Sequence, residues 1–234
     1  MTLDGTRTYI VGRVQTAIID PGPNLPAHID AVVAAIGNRV TASVLITHSH
    51  PDHDEGADAV AAGLNAEILR PGDGETIETD AGDLTALATP GHTPDHLCFL
   101  HDAEHAIFCG DLMMGGLDTA LVAAPEGNLH DYLASLHRLR ALDPRIIYPA
   151  HGPAITDPLG AIDRYLHHRE QRIAQAENAL KAGPRSADDL VDIIYGAALD
   201  DRLRYYAASA VESYLEYLAV QGRAHRVDEE WSVL

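Results

Sequence analysis

A mixed α/β fold of the α+β kind is predicted for the first two thirds of this chain, followed by a small, mainly helical domain. Three observations predict it. Short apolar runs of strand length alternate with helical stretches as far as residue 157. The pattern turns helical after Asp157-Pro158, and the chain closes on two short β-prone runs at 223–227 and 230–234. A chain of 234 residues has room for one large domain, placed at 1–157, and one small one, placed at 158–234, with a sizeable buried core.

Each element follows from its own residues. Thr8–Gly12 and Thr16–Asp20 read as a strand pair, and Ala27–Ile36 has helical periodicity with Pro26 near its start. Ser43–Thr47 is a buried strand, and Asp54–Leu64 an Ala-rich helix. Glu67–Leu69, Glu75–Glu78, Leu84–Thr89, His96–Leu100 and Ala106–Gly110 are short strands. Asn128–Leu142 is a helix capped by Asn128, and Arg145–Tyr148 is the last strand of the large domain. Leu159–Lys181 is a long helix stopped by Gly183-Pro184. Ser186-Ala187-Asp188-Asp189 is a helix-start capping arrangement with Asp in place of the usual Glu. From Leu203, Ala207, Val211, Tyr214, Leu215 and Leu218 share one helical face, and Gly222 ends it ahead of a two-stranded wing. The tyrosines at 195, 205, 206, 214 and 217 are expected in core or interface packing.

Residues 47–56, Thr-His-Ser-His-Pro-Asp-His-Asp-Glu-Gly, place three imidazoles and a carboxylate within six positions, directly after the buried run 43–47. Helical metal motifs space their histidines four apart. The spacing of two here, followed by Pro51, implies extended backbone, so His48 and His50 point the same way. Imidazole with carboxylate suits zinc, with Mn2+ or Fe2+ as alternatives. His92 in Thr-Pro-Gly-His-Thr, Asp111 in Phe-Cys-Gly-Asp and His151 in Tyr-Pro-Ala-His-Gly each follow an apolar stretch and sit beside glycine, which lets backbone approach an ion at a strand end.

In this order, HxHxDH, then His, Asp and His, preceded by Asp20 after Ala17-Ile18-Ile19, the residues resemble the metallo-β-lactamase superfamily. Gly5–Gly12, Asp20-Pro21-Gly22-Pro23, Gly91–Leu97, Gly127–Leu136 and the helix bearing His168-Arg169-Glu170 are similar to one branch of it. That branch holds bacterial hydrolases and an animal mitochondrial endoribonuclease, and carries a C-terminal winged-helix domain. The resemblance covers almost the whole chain and implies an αββα sandwich. It departs in two places: the chain is expected to begin late and lack an outer strand, and the stretch between Leu64 and Leu84 is short.

The resemblance also implies a division of labour. His48, His50 and His92 hold one metal, Asp52, His53 and His151 a second, and Asp111 bridges them, giving two Zn2+ per chain. A hydroxide shared by the two ions would attack an ester, thioester, lactone, β-lactam or phosphodiester. Asp52, Asp111 and His96 are the candidate catalytic residues, His96 as proton donor to the leaving group or as a hydrogen-bond partner behind the ligands. Asp20 orients a ligand by hydrogen bonding, or else caps the turn with Pro21-Gly22. Tyr148 either reaches a substrate oxygen or packs beneath the last strand. True β-lactamases commonly carry Cys where Asp111 stands, which points toward thioesterases, lactonases and phosphodiesterases. Specificity is expected to reside in 113–128 and 65–83. Two alternatives stand beside the hydrolase: an endoribonuclease of single-stranded RNA, and an iron-dependent oxidoreductase such as a persulfide dioxygenase.

Charge bears on partners. The net charge is −19; residues 1–159 contribute −15 and residues 160–234 contribute −4, with Lys181 the single lysine. Nucleic-acid affinity draws on Lys and Arg at phosphates, so a small-molecule substrate is favoured over nucleic acid, and the winged helix is read as a packing or dimerising unit. No apolar run reaches membrane-spanning length, and the first residues show neither a basic nor an apolar leader region, so a cytoplasmic, non-membrane protein is expected. Cys98 and Cys109, both in strands, read as core residues, with Cys109 near enough to Asp111 for contact behind the ligands.

Overall fold

The structure is a computed structural model that describes residues 5–37 and 41–234. Strands β1 (Tyr9–Val11), β2 (Gln15–Ile19), β3 (Thr41–Leu45) and β4 (Glu67–Leu69) form one sheet in that spatial order. β1 and β2 pair antiparallel, while β2–β3 and β3–β4 pair parallel. Parallel neighbours need a crossover. Helix α1 (Pro26–Ile36) makes the first, and α2 (Pro51–Asp54) with α3 (Ala57–Leu64) makes the second. The other sheet runs β5 (Thr76–Ile77), β6 (Leu84–Ala88), β7 (Leu97–His101), β8 (Ala106–Phe108) and β9 (Ile146–Tyr148), antiparallel until β9 joins β8 in parallel after α4 (Leu129–Ala141).

The strands' period of two builds the layers. Ala17, Ile19 and Leu45 cluster with Ala86, Phe99 and Phe108 between the sheets. Ile18 and Val44 turn the other way, onto Val32, Ile36 and Val60 of α1 and α3. Cys98, Ile107 and Ile147 face Leu136 and Leu139 of α4 and Ile162 of α5 (Pro158–Leu180). The result is the expected αββα sandwich.

The His-rich segment differs from expectation. Instead of one helix over 54–64, a single turn, α2, begins at Pro51 and is separated from α3 by Glu55-Gly56. Pro51 presets the first helical φ. Gly56 then donates to Gly22 O (2.9 Å), and Gly22 N–H bonds His53 O (3.1 Å), so the Pro21-Gly22 turn clamps α2. A Cβ at Gly56 would stand 2.8 Å from Gly22 O.

The C-terminal part is α5, α6 (Ala187–Tyr195), α7 (Asp201–Val220) and a wing of β10 (Ala224–Val227) against β11 (Glu230–Val233). Ser186 and Asp189 form the reciprocal cap foreseen, each side chain accepting the other's backbone N–H. Among the described residues, buried Arg169 of α5 has no carboxylate partner; it donates to Ala120 O and to Tyr214 Oη and lies over the Tyr132 ring, 5.1 Å from its centroid. Ala124 N–H bonds Ser209 O of α7 (3.1 Å), so the 120–124 loop is held by the helical part. Tyr214 is buried and Tyr195 and Tyr217 pack against the same core. Tyr205 and Tyr206 do not: they are exposed, lying on the first turns of α7 beside its apolar stripe rather than in it. Among the described residues no helix is long and apolar enough to cross a membrane.

Beside Arg169, His168 is half-buried and held down to about 4 by desolvation and by the Arg169 and Arg172 guanidiniums. Its unfolded pKa is about 6.5. An imidazole depressed on folding stabilises the native state only while neutral, so its contribution is whole above about pH 6.5 and lost as pH falls through about 4. His168→Gln should therefore flatten the fall of Tm across that window in thermal melts; an unchanged slope would remove His168 from the acid response.

Candidate metal centre

The sequence-predicted ligands follow the C-terminal ends of β3, β6, β8 and β9, and converge at one edge of the sandwich. Each histidine uses its outer ring nitrogen as a donor. His53 Nδ1 bonds Asp20 Oδ2 (2.8 Å), His92 Nδ1 bonds Leu121 O (2.8 Å), and His151 Nδ1 bonds Gly5 O (3.1 Å). The Thr47 hydroxyl donates to Asp20 Oδ2 (2.8 Å) and so accepts from His48 Nδ1 (3.0 Å). His50 directs Nε2 at Glu126 Oε2 (3.3 Å). An imidazole that donates through one nitrogen presents a lone pair on the other. Once neutral, all five therefore turn a lone pair inward.

Those inner atoms fall into two sets joined by one carboxylate. His48 Nε2 and His92 Nε2 lie 2.9 and 3.2 Å from His50 Nδ1. Asp52 Oδ2 lies 3.4 Å from His151 Nε2 and 3.6 Å from His53 Nε2. Asp111 spans both: Oδ2 is 3.7 Å from His92 Nε2, while Oδ1 is 3.2 Å from His151 Nε2 and 3.5 Å from His53 Nε2. Within each of three donor groups, His48–His50–His92, His48–His53–Asp111 and Asp52–His53–His151, the ligand atoms lie within 4.8 Å of one another. His53 Nε2 and Asp111 Oδ1 are buried without a hydrogen-bond partner. Buried polar atoms are normally satisfied, and lone pairs facing one another across about 3 Å repel unless a cation lies between them. The donor set fits a pair of divalent ions.

Electrostatics agree. Burial opposes charge on His53, yet the Asp20 and Asp111 carboxylates outweigh it and lift His53 to about 10. His151, also desolvated, is raised to about 9 by Asp111 and Asp52. Asp52 is held at about 2, first by His151, and Asp111 lies far below the carboxylate range because His151 and His53 overcome its burial. Burial drives His48 and His92 down. Without cations, protonated imidazoles supply the positive charge the carboxylates require.

Comparison with known proteins decides the family. Residues 64–151, which include His92, Asp111 and His151, match the model for the metallo-beta-lactamase superfamily. A beta-lactamase-like protein 2 homolog of Caenorhabditis elegans is 32% identical over 77% of this chain and 67% of its own length. The chain belongs to the metallo-β-lactamase superfamily. Residues 186–231 match the beta-lactamase associated winged helix domain, which places this superfamily member in the winged-helix branch. An atrochrysone carboxyl ACP thioesterase of Aspergillus terreus is 29% identical, with 100% of this chain and 81% of that one covered. In fold, a metallo-beta-lactamase family protein of Thermus thermophilus matches with a TM-score of 0.77 at 21% identity, covering 98% of this chain and 94% of that one.

Four expectations are corrected or decided by this metallo-β-lactamase geometry. His96 lies behind Asp111, not in front of it: its Nε2 accepts from Asp111 N (3.2 Å) and its Nδ1 donates to Thr89 Oγ1 (3.0 Å). Both nitrogens are engaged, and burial holds the ring at about 3, so it has no proton to give a leaving group. Cys109 turns toward Met113 O and the helical layer rather than the ligands. Tyr148 packs, stacked on Phe108 at 5.3 Å. Asp20 has its carboxylate on His53 and Thr47, not on the following turn.

Sequence reading missed Thr6, whose hydroxyl donates to Asp52 Oδ2 (3.1 Å), and the roles of Thr47, Gly5 and Glu126 around the histidines. Thr47 stood next to the motif and carried the one usable signal; the Gly5 and Leu121 carbonyls carry none. Asp20→Asn tests the outer bonds. The amide would set N–H against His53 Nδ1–H, and relieving that clash moves the ring proton to Nε2, where the ligand lone pair was. Zinc affinity at the Asp52–His53–His151 set should fall about 10–100-fold in chelator competition. Wild-type affinity for both ions would show that Asp20 has no such part.

Proposed function

We propose that this superfamily enzyme is a dinuclear, metal-dependent hydrolase of acyl compounds, thioester, ester or lactone, with Zn2+ the ion its imidazole and carboxylate donors suit best. The observation that carries the reading is Asp111, one oxygen toward His92 and the other toward His53 and His151. A complete second set, Asp52–His53–His151, supports two ions over a single iron. The thioesterase name of the A. terreus relative supports acyl hydrolysis. Arg and Lys are scarce throughout, and that scarcity supports a small substrate over RNA.

A bound pair of divalent ions supplies Lewis-acid chemistry, acidifying water and drawing electrons from a carbonyl oxygen. The chain's residues set that chemistry up. His48, His50, His92, His53 and His151 arrive with each ring oriented by its outer bond, so binding needs little movement, while His53 and His151 each give up a proton as the ions enter. Asp52 is ionised at neutral pH, its Oδ2 accepts from Thr6 and faces His53 and His151, and its carboxylate would take the proton that water gives up. His96 and Thr89 keep Asp111 in place from behind. In the net reaction the water oxygen joins the carbonyl carbon, the C–S or C–O pair departs with the leaving group, and one water proton follows it.

Metal analysis of protein purified without added metal, followed by assay on thioester, lactone, β-lactam, phosphodiester and RNA substrates, tests this. About two zinc per chain with thioester or lactone turnover is expected. One iron per chain with thiol-persulfide oxidation would overturn it, as would turnover of RNA alone.

A further inference from the structure

Beside His50 and His92 the surface opens into a cavity of about 270 Å3. One wall is the loop carrying Leu121, Pro125 and Glu126; the other is α7, through Tyr205, Tyr206 and Ser209. Tyr205 and Tyr206 are 73% and 51% exposed, and their rings meet edge to face with centroids 5.7 Å apart. Leu121 is exposed as well. Large apolar side chains collected at one opening, beside donor atoms for metal, mark a binding wall. The charged side chain on that wall is Glu126, an acid. The nearby guanidiniums of α7 are engaged elsewhere, Arg202 with Asp200 and Arg204 with Asp192.

We propose that this cavity receives the acyl body of the substrate, and that this body is planar, apolar and uncharged, with its carbonyl carbon at the His50–His92 end. The assignment rests on the acyl-hydrolase reading above and adds the substrate class. Size supports it: pockets that take a whole drug-sized ligand run to about 300–1,000 Å3, so one of 270 Å3 holds one half of an ester or thioester. Chemistry supports it too. Tyrosine ring faces stack on flat groups, and Glu126 repels an anionic acyl group. A nucleobase would also stack, but its phosphates would meet Glu126, and among the described residues no Lys or Arg lines the cavity. In the reaction R–CO–S–R′ + H2O, R lies between Tyr206 and Leu121, the C–S pair leaves on sulfur, which takes one water proton, and R–COOH is released as carboxylate.

Zinc-loaded enzyme is assayed with N-acetylcysteamine thioesters of acetate, benzoate, 2-naphthoate and 4-carboxybenzoate, and binding of methyl 2-naphthyl ketone is measured by calorimetry. The naphthoyl-to-acetyl ratio of kcat/KM should fall about tenfold in Tyr206→Ala and in Tyr205→Ala. It should be kept in the Tyr→Phe variants, because the ring and not the hydroxyl makes the wall. Benzoyl should exceed 4-carboxybenzoyl by about two- to fivefold, a gap that Glu126→Gln narrows. Ratios unchanged by both alanine variants, or ketone binding indifferent to them, overturn the proposal, as does a preference for the 4-carboxybenzoyl thioester. The ketone separates the two readings. If no thioester is hydrolysed but ketone affinity still drops about tenfold in the alanine variants, the hydrolase reading fails and the cavity assignment stands. RNA competing with the ketone in a salt-sensitive way would replace the acyl group with a nucleobase.

Discussion

Replacing Asp111 by Asn is expected to cut the bound divalent ions from two to one or none and to lower turnover of any substrate by at least about a thousandfold. The side chain keeps its shape, so the effect isolates charge. Asp111 Oδ1 faces His151 and His53 and Oδ2 faces His92, with His53 Nε2 and Oδ1 left otherwise unpartnered. An amide removes one negative charge from between two cation positions. Its NH2 would also donate to an inward imidazole lone pair, so the nitrogen meant for metal becomes occupied. Metal content by mass spectrometry and turnover on the best thioester of the panel check both halves. An Asn variant that keeps two ions and works within tenfold of wild type would end the bridging assignment. The outer bonds of the five histidines lie away from Asp111, so the circular dichroism spectrum should be unchanged.

How legible this centre was depends on what each role demands of a side chain. Metal ligation demands His or Asp at fixed points, and those types are rare enough beside strand ends that 48–53, 92, 111 and 151 stood out. Alternating apolar residues likewise disclosed both sheets, since Ile18 and Ile19 must part to opposite faces of β2. Roles filled by backbone left no letter: Gly5 O and Leu121 O fix two ring tautomers from 146 and 29 residues away. For His96 the sequence allows proton transfer or a bond behind the ligands, and only its partners, Asp111 N and Thr89, show both nitrogens spent. The place of Tyr205 and Tyr206 stays open in the sequence, between core and interface, for another reason. Helical periodicity separates a buried stripe, here Ala207, Val211, Tyr214 and Leu218, from the rest of the helix. It does not distinguish an aromatic residue at the stripe's margin, covered by a neighbour, from one at the same margin facing a cavity.

Gly91→Ala should be among the most damaging single methyls in the described residues, because Gly91 carries His92 across the start of α4. Its φ of +134° belongs to glycine, and an added Cβ would stand 2.6 Å from Tyr132 Cβ and nearer still to the Tyr132 backbone. Retreat is blocked. Gly91 O accepts from Asn128 N (2.9 Å), Ser135 Oγ donates to Pro90 O (2.7 Å), and Arg138 Nη1 donates to Ala88 O (2.9 Å), so the exit of β6 is bonded to α4 along its length. A left-handed alanine costs about 1–3 kcal/mol; with the backbone clash added, a loss of at least about 3 kcal/mol is expected, or roughly 6–12 °C in Tm for a chain of this size. Gly183→Ala supplies the comparison, since Gly183 has a φ of +125° and nothing within 4 Å of the added carbon. It should lose only the conformational part. Zinc affinity at the His48–His50–His92 set should fall in Gly91→Ala and stay level in Gly183→Ala, because one displaces His92 and the other moves a helix end. Equal Tm losses in the two variants would show that crowding against Tyr132 contributes nothing, and that His92 is positioned by its bond to Leu121 alone.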